Sequence, residues 1–233
     1  DVRVADAWAR LQPPAPWRAT PPSDDRALFH ERFDFGPDAE PRPVQAELMQ
    51  LARGISDPSL LILESEMGSG KTEAALAAAE ILAERFRLGG IAFWLPTRAT
   101  ADGMFARALH WAGRVHLDTP LSVYLAHGSA LLNDEFGELA QRGRFHALGQ
   151  DRRMRRGQDD AVIAHHWFAS PKRGPLSALV IGTIDQSLFA VLRGRHAMMR
   201  HLALAGKVVI FDEVHAFDAF TGVYLERLLH WLG

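Results

Sequence analysis

The stretch that most constrains this chain is Leu60–Thr72, LLILESEMGSGKT. A short apolar run leads into a loop that contains Gly68 and Gly70, and an alanine-rich segment begins at Lys71. The order of strand, glycine loop and helix is typical of a nucleotide-binding loop, because glycine lets backbone N–H groups approach phosphate oxygens. The stretch therefore predicts an α/β fold built around a nucleotide phosphate site.

The residues of this loop predict separate roles on the nucleotide. Lys71 would bring its ammonium group to the β and γ phosphates, and Thr72 would offer its hydroxyl to Mg²⁺. The other predicted phosphate-binding residues are Glu66, Met67, Gly68, Ser69 and Gly70. Ser65 stands where the common pattern G-x-x-x-x-G-K-[ST] has glycine. The alternative is a turn that only joins a strand to a helix, which leaves the Lys-Thr pair unexplained.

Composition limits the class of protein and its partners. The formal net charge of the 233 residues is -2 at pH 7, so any nucleic-acid surface must be local. The chain has no cysteine, which excludes disulfides and thiolate metal sites. No apolar run reaches the roughly 18 residues of a membrane span, and the start of the chain does not resemble a secretory signal. We expect a cytoplasmic protein and interpret the sequence as a segment of a longer polypeptide.

Composition also divides the chain near residue 40. Residues 1–40 are rich in proline and lack a clear period, which predicts an extended connector or a strap over another surface. Aromatic residues interleave with these prolines, so we expect part of the connector to dock. Residues 41–233 then form the second predicted unit.

Within residues 41–233, short apolar runs alternate with helical patterns. The runs are interpreted as buried strands over Leu60–Leu63, Ile91–Leu95, Leu121–Leu125, Leu179–Ile181 and Lys207–Phe211. Helices are predicted over Pro41–Arg53, Thr72–Phe86, Ala101–Trp111 and Phe220–Leu232, with one more that Asp185 caps and that extends to Leu202. This alternation predicts a mostly parallel sheet with helices on both faces. The loops after the strands should lie along one edge, where such sheets bind ligands.

Two carboxylates follow the last run. Nucleotide hydrolysis needs one carboxylate to hold Mg²⁺ and another group to orient or deprotonate the attacking water. We therefore predict that Asp212 faces the metal and that Glu213 faces the water. His215 could couple the phosphate site to a bound polymer, or it could be hydrogen-bonded in the site without that role.

Other loops at the same edge offer groups for nucleic-acid phosphates, although helix capping is the alternative for each. Thr97 and Arg98 follow the second run, and Thr183 and Gln186 follow the fourth. The arginine-rich part of residues 130–173 could line a path for a single strand, form a solvated helix face or contact a partner protein. The pair His165-His166 is interpreted as structural, because adjacent side chains point apart.

These motifs together resemble the first RecA-like lobe of superfamily 2 DExH helicases. In chain order they are PRPVQ (Pro41–Gln45), SEMGSGKTEAAL (Ser65–Leu76), LPTRATADGMF (Leu95–Phe105), GTIDQ (Gly182–Gln186) and DEVHAFD (Asp212–Asp218). The phrases WFASPKRG, GTIDQ and AGKVVIFDEVHAFD resemble, more narrowly, the helicase part of the CRISPR-associated helicase–nucleases of type I systems, subtype I-E. The resemblance covers residues 41–233, and helicases of this superfamily commonly have a small residue in place of the glycine that Ser65 replaces.

The resemblance implies an ATP- and Mg²⁺-dependent motor that acts on single-stranded DNA. Gln45 would read adenine, with a phenylalanine of the connector (Phe29, Phe33 or Phe35) as its stacking partner. Asp212 would bind Mg²⁺ through water, and Glu213 would be the catalytic base. Thr97, Arg98, Gly128, Thr183 and Gln186 would contact the DNA backbone. An RNA-guided surveillance complex (Cascade) would recruit the motor, which would reel the displaced strand 3′ to 5′ into a metal-dependent nuclease domain during defence against foreign DNA.

Some parts of that machinery have no counterpart in this sequence. No histidine here is followed by aspartate, so the His-Asp motif of the nuclease domain is absent, and so are the Ser-Ala-Thr motif and the second helicase lobe. Because the second lobe supplies arginines worth about 10³–10⁵ in rate, we expect this chain alone to be nearly inactive. The alternatives are an RNA helicase or duplex translocase of the same superfamily, and a nucleotide-gated docking module that has lost hydrolysis.

Overall fold

The computed structural model of the chain describes residues 3–4, 16–36, 38–115, 120–147, 162–192, 194 and 196–233, apart from the side chains of residues 143–147 and 166. Its centre is a five-stranded sheet in the order β3-β2-β4-β1-β5. The strands are β1 (Ile91–Leu95), β2 (Leu121–Ala126), β3 (Val162–Ile163), β4 (Leu179–Thr183) and β5 (Val208–Phe211). All the pairs are parallel, which confirms the predicted α/β class.

The helices alternate with these strands along the chain. They are α1 (Asp25–Arg32), α2 (Pro43–Gly54), α3 (Lys71–Arg85), α4 (Arg98–Ala112), α5 (Asp134–Ala147), α6 (Ile184–Leu188), α7 (Ala197–Ala205) and α8 (Ala219–Leu232). Short 3₁₀ helices occupy Ala130–Leu132, His166–Phe168, Gly174–Leu176 and Val214–Ala216. Among the described residues, no helix is long and apolar enough to cross a bilayer.

Helices cover both faces of the sheet, because adjacent side chains of each central strand point to opposite faces. In β1, Ile91, Phe93 and Leu95 pack in an apolar cluster with residues of α1 to α5. Ala92 and Trp94 pack in a second cluster with residues of α6, α7 and α8. A strand buried on both faces reads as a continuous apolar run, so the sequence predicts this strand well.

The prediction of a strand over Leu60–Leu63 is wrong. The segment has no strand pairing, and Leu60 and Ile62 are 64% and 79% exposed. An apolar run becomes a strand only where its backbone groups pair with a neighbour, and β5 is the last strand on that side of the sheet. The fifth strand is instead β3, which pairs with β2 and lies in the arginine-rich stretch.

The prediction of one long helix after β4 is also wrong. Helix α6 ends at Leu188, and α7 begins only at Ala197. His196, the N-cap of α7, has a φ of 72°, and a right-handed helix cannot continue through that conformation. Thr183, and not Asp185, is the N-cap of α6.

Part of the proline-rich start packs against the sheet layers, as its aromatic residues predict. Trp17, Phe29 and Phe33 are buried in the larger apolar cluster. Residues 25–32 are helical instead of extended. Trp8 and most of the first fifteen residues lie outside the described part of the chain.

Candidate nucleotide-binding site

The glycine loop has the backbone conformation that its sequence predicts. Gly68 and Gly70 have φ values of 77° and 90°, a left-handed region that favours glycine. Gly70 is the N-cap of α3, so the helix begins at Lys71. A Cβ on Gly70 would also overlap Nε2 of Gln45. The loop therefore opens a helix with unblocked backbone, as a phosphate site requires.

Lys71 points across its own loop. Its Nζ donates hydrogen bonds to the carbonyl oxygens of Ser65 and Glu66, each at 2.7 Å. Both carbonyls precede the glycines in sequence, so the ammonium of Lys71 links the end of the loop to its beginning. A phosphate that binds the ammonium must replace at least one of these contacts.

Gln45 is buried beneath the loop and holds it to α2. Its Oε1 accepts a hydrogen bond from Arg42 N at 2.8 Å, and its Nε2 donates to Gly70 O at 3.2 Å. The Arg42 guanidinium also donates to Gly68 O. Only 2% of Gln45 is exposed, so its amide supports the loop directly. Its predicted role toward adenine stays a prediction.

The three candidate stacking residues of the connector differ in exposure. Phe29 and Phe33 are buried in the core, and Phe35 is 42% exposed. The Phe35 ring stacks on Phe29, with centroids 4.7 Å apart and planes 3° from parallel. Of the three, Phe35 is the ring with surface that a base can contact.

Thr72 contacts an arginine that the sequence did not single out. Arg107 Nη1 donates to Thr72 Oγ1 at 3.1 Å, and Arg107 Nη2 lies 2.5 Å from Oε1 of Glu73. Arg107 belongs to α4, so its contact spans 35 residues of sequence. No local pattern marks it, because the contact exists only once the fold brings α3 and α4 within reach of each other.

Asp212 and Glu213 lie at the carboxyl end of β5. Asp212 N donates to Trp94 O at 3.0 Å, which extends the pairing of β5 with β1. Asp212 Oδ1 accepts from Glu213 N at 2.9 Å. Glu213 has a φ of 52°, an unfavourable value for a residue with a Cβ, and such strain is concentrated at functional sites. Both Glu213 and His215 are exposed.

Helix α3 links the glycine loop to the strand β5. This helix begins at Lys71 and packs against β5, the strand that ends before Asp212. Among the described residues, no hydrogen bond or ion pair joins Lys71 to Asp212 or Glu213. The packing brings the two elements together, and the convergence of the side chains on one nucleotide stays a prediction.

Arg98 and Gly128 meet at the edge of the sheet where β1 and β2 end. Arg98 Nη1 donates to Ser129 Oγ at 3.1 Å, and a Cβ on Gly128 would lie 3.3 Å from the guanidinium. Thr97 caps α4, since its Oγ1 accepts from Thr100 N at 3.2 Å. The capping interpretation of Thr97 is therefore confirmed, and the cap leaves the N-terminus of α4 beside Arg98.

A partly buried hydrogen-bond network supports the turn that carries Gly128. The Nδ1 atom of His127 accepts from Ser129 N at 3.2 Å, so its proton is on Nε2, which lies 3.1 Å from Asp102 Oδ1. Asn133 Nδ2 donates to the same carboxylate oxygen at 2.9 Å. The network fixes the turn that carries Gly128. Sequence reasoning did not single out Asp102, Ser129 or Asn133.

Thr183 and Gln186 lie on the neighbouring strand end. Thr183 pairs in register with Leu95, so the loops after β1 and β4 begin side by side. Thr183 is buried, and Gln186 is half-buried, with its Nε2 donating to Asp185 at 2.8 Å. The loops after β1, β2, β4 and β5 therefore share one edge, whereas the glycine loop does not follow a strand.

The described residues form no group of three or more histidine or carboxylate side chains that could hold a metal by itself. The assignment of Thr72 and Asp212 to a magnesium ion stays a prediction. His165 Nδ1 accepts from Trp167 N at 3.2 Å, which agrees with its structural interpretation. Of the arginines in the 130–173 stretch, Arg142 pairs with Glu138 at 3.7 Å, and residues 148–161 lie outside the described part of the chain.

Comparison with known proteins identifies relatives of this chain, although no protein-family model matches it. The CRISPR-associated nuclease/helicase Cas3 of Streptococcus thermophilus is 37% identical over 208 residues, 88% of this chain and 21% of that protein. The CRISPR-associated endonuclease/helicase Cas3 of Thermus thermophilus is 37% identical over 207 residues, 89% of this chain and 22% of that protein. The crystal structure of T. fusca Cas3-AMPPNP matches with a TM-score of 0.71 and 36% identity, over 92% of this chain and 22% of that chain.

The resemblance carried by the sequence motifs is thus confirmed by whole-chain similarity and by the fold. The chain spans about a fifth of the length of each of these relatives. The structural match extends over 92% of this chain. This chain is therefore a homologue of one segment of the CRISPR-associated Cas3 nuclease/helicases, and it has the RecA-like α/β fold of that segment.

Proposed function

We propose that this chain is the ATP-binding motor lobe of a CRISPR-associated DNA helicase. The observation that carries the proposal is the glycine loop with its two left-handed glycines. It leads into α3, which packs against β5, the strand that Asp212 and Glu213 follow. The similarity to T. fusca Cas3-AMPPNP supports a nucleotide as the ligand. Residues 1–40 act as a connector in this proposal, and residues 41–233 as the lobe.

In the nucleotide site, Lys71 exchanges the Ser65 and Glu66 carbonyls for phosphate oxygens. Residues 66–70 offer backbone N–H groups, and Phe35 offers a ring face to the base. Hydroxyl and carboxylate oxygens suit Mg²⁺, so Thr72 and Asp212 are its proposed ligands, Asp212 through water. The ion would neutralise charge on the phosphates. Glu213 then accepts a proton from the attacking water, and His215 couples this site to the polymer.

On the DNA side, Arg98 and the N-terminus of α4 offer positive charge to a backbone phosphate. Gly128 leaves the guanidinium of Arg98 accessible, and the His127 network holds this turn in place. Thr183 and Gln186 extend the track along the neighbouring strand end. Single-stranded DNA is the proposed polymer, with movement 3′ to 5′ along it.

The partners follow from the relatives, whose names include both nuclease and helicase. We assign the missing functions to other parts of the full-length protein: a nuclease domain, and a second lobe that supplies the arginines for hydrolysis. A surveillance complex such as Cascade would recruit the whole protein to opened DNA. This chain alone should bind nucleotide and hydrolyse it poorly.

Calorimetric titration of the purified chain with ADP in Mg²⁺ tests the nucleotide site. We expect binding that Lys71→Ala reduces by tenfold or more, since it removes a charge-assisted contact to phosphate (about 1.5–3 kcal/mol). Lys172→Gln removes an exposed lysine elsewhere and serves as the matched control. Equal affinities for the wild type and Lys71→Ala would contradict the proposal.

A nucleotide-gated docking module is the second candidate, favoured by the two carbonyl contacts that hold Lys71. The ATPase rate of the full-length protein, measured with single-stranded DNA, RNA or duplex DNA, separates the candidates. A motor on single-stranded DNA should be stimulated most by that polymer and should lose turnover in Glu213→Gln. A docking module should show no difference between wild type and Glu213→Gln.

A further inference from the structure

Arg107 contacts Thr72 and Glu73, the two residues that follow Lys71 in α3. One nitrogen of its guanidinium donates to Thr72 Oγ1 at 3.1 Å, and another lies 2.5 Å from Glu73 Oε1. The planar fork of arginine can hold both contacts at once. Glu73 thus anchors the guanidinium directly over the hydroxyl of Thr72.

This arrangement conflicts with a metal ion on the same hydroxyl. Thr72 Oγ1 has two lone pairs, and Arg107 occupies one of them. The guanidinium carries a positive charge. A divalent cation at the same oxygen would therefore meet a like charge at short range, which raises the free energy of the metal-bound state.

We propose that Arg107 is a positioning residue that competes with Mg²⁺ for the hydroxyl of Thr72. This inference rests on the proposed nucleotide site. The metal-free site keeps the hydroxyl turned toward Arg107, and binding of Mg²⁺–nucleotide displaces the guanidinium onto Glu73 alone. Half of the Arg107 side chain is exposed, at 52%, so water can solvate it after displacement.

The exchange is energetically accessible because both contacts of Arg107 lie near the surface. The exposed fractions of Arg107 and Glu73 are 52% and 20%. The Arg107–Thr72 hydrogen bond is exposed, and a typical hydrogen bond contributes little net free energy. A metal–phosphate complex can therefore replace it without unfolding α4. Displacing Arg107 from Thr72 costs free energy only when Mg²⁺ binds. A positioning role therefore changes how strongly nucleotide binding depends on Mg²⁺, whereas a structural role does not.

The test measures how much Mg²⁺ strengthens nucleotide binding. ADP is titrated calorimetrically into the purified chain with Mg²⁺ and with EDTA. The dissociation constant in EDTA divided by the dissociation constant in Mg²⁺ is the magnesium factor. We expect Arg107→Gln to raise this factor about fivefold, the ratio that one hydrogen bond of typical net strength produces. Arg85→Gln, at the far end of α3, should leave the factor unchanged.

A double-mutant cycle assigns the effect to Thr72. In a Thr72→Ala background, Arg107→Gln should no longer change the magnesium factor. An unchanged or lowered factor in Arg107→Gln, with a normal melting temperature, would overturn the inference while leaving the nucleotide site intact. Wild-type chain that binds no ADP under either condition would overturn the proposed function and this inference together.

Discussion

Arg32 and Glu80 form an ion pair inside the protein, with Arg32 Nη2 2.9 Å from Glu80 Oε1. Their side chains are 1% and 0% exposed. Arg32 Nε donates to the same carboxylate, and Arg32 Nη1 donates to the carbonyl oxygen of Arg114. The pair joins α1 of the proline-rich start to α3, the helix that Lys71 opens. The first helix is therefore part of the structure that positions the phosphate loop.

Removing one partner of this pair should destabilise the chain strongly. Glu80→Gln leaves the guanidinium of Arg32 without its buried counter-charge, since its other carboxylate partner, Glu31 at 3.3 Å, is exposed. Such a loss costs about 3–5 kcal/mol. Urea unfolding measures the loss. Replacing both residues, as Arg32→Met with Glu80→Leu, should cost less than the single change, because no charge is then buried. A double variant less stable than Glu80→Gln would contradict this account.

Lys207 should make stability depend on pH. Burial lowers its pKa from 10.5 to about 7, while Pro175 O and Ala203 O accept hydrogen bonds from its Nζ at 2.8 and 2.6 Å. Between pH 7 and 10.5 the unfolded chain binds the proton that the folded chain has released. The free energy of unfolding therefore rises with pH in this window, by up to about 1.4 kcal/mol per pH unit.

The measurement compares urea unfolding at pH 7 and pH 9 in wild type and Lys207→Met. The wild type should gain about 2 kcal/mol more than the variant over this interval. Taking the difference between the two proteins removes the contribution of other titrating groups. Equal gains would show that Lys207 titrates at its ordinary pKa.

Gly70→Ala should damage the phosphate loop. The φ of 90° at Gly70 disfavours alanine, and the new Cβ would overlap the buried amide of Gln45. We expect a loss of about 1–3 kcal/mol in stability together with weaker ADP binding. Gly103→Ala in the middle of α4 is the matched control, since no atom lies within 4 Å of its Cβ position. That change should stabilise by about 0.5–1 kcal/mol and leave ADP binding unaltered.

The segment 60–63 offers a test of where the structure departs from the sequence prediction. Ile62 is 79% exposed, whereas Ile181 in β4 is fully buried. Ile62→Ser should change the free energy of unfolding by less than about 0.5 kcal/mol, and Ile181→Ser should cost several times as much. A large loss in Ile62→Ser would show that the run is buried beside β5, as its apolar sequence predicts.

Sequence reasoning found the elements whose signal is local. Strands β1, β2 and β4 are buried and β5 is half-buried, and all four read as apolar runs. Gly68 and Gly70 mark a backbone conformation that few other residues adopt. The run 60–63 carries the same local signal, but pairing depends on a neighbour that sequence does not reveal. The helix α6 ends at Leu188, and α7 begins only after the left-handed residue His196.

The side-chain contacts of two arginines with residues far away in the chain were not predicted from the sequence. Arg107 meets Thr72 across 35 residues, and Arg32 meets Glu80 across 48. Each arginine taken alone reads as an ordinary solvated charge. The structure brings Arg98 together with Gly128, two residues that the resemblance implied for one DNA track. It also adds the His127, Asp102 and Asn133 network that supports them.

The central claim is that Lys71 and Asp212 act on one magnesium–triphosphate. A crystal structure of this chain with Mg²⁺ and AMPPNP tests it most directly. We predict that Lys71 Nζ leaves the carbonyls of Ser65 and Glu66 for the β and γ phosphate oxygens, with Asp212 hydrogen-bonded to water on the metal. A nucleotide bound elsewhere, or bound with Lys71 still on those carbonyls and Asp212 remote from the metal, would contradict the account.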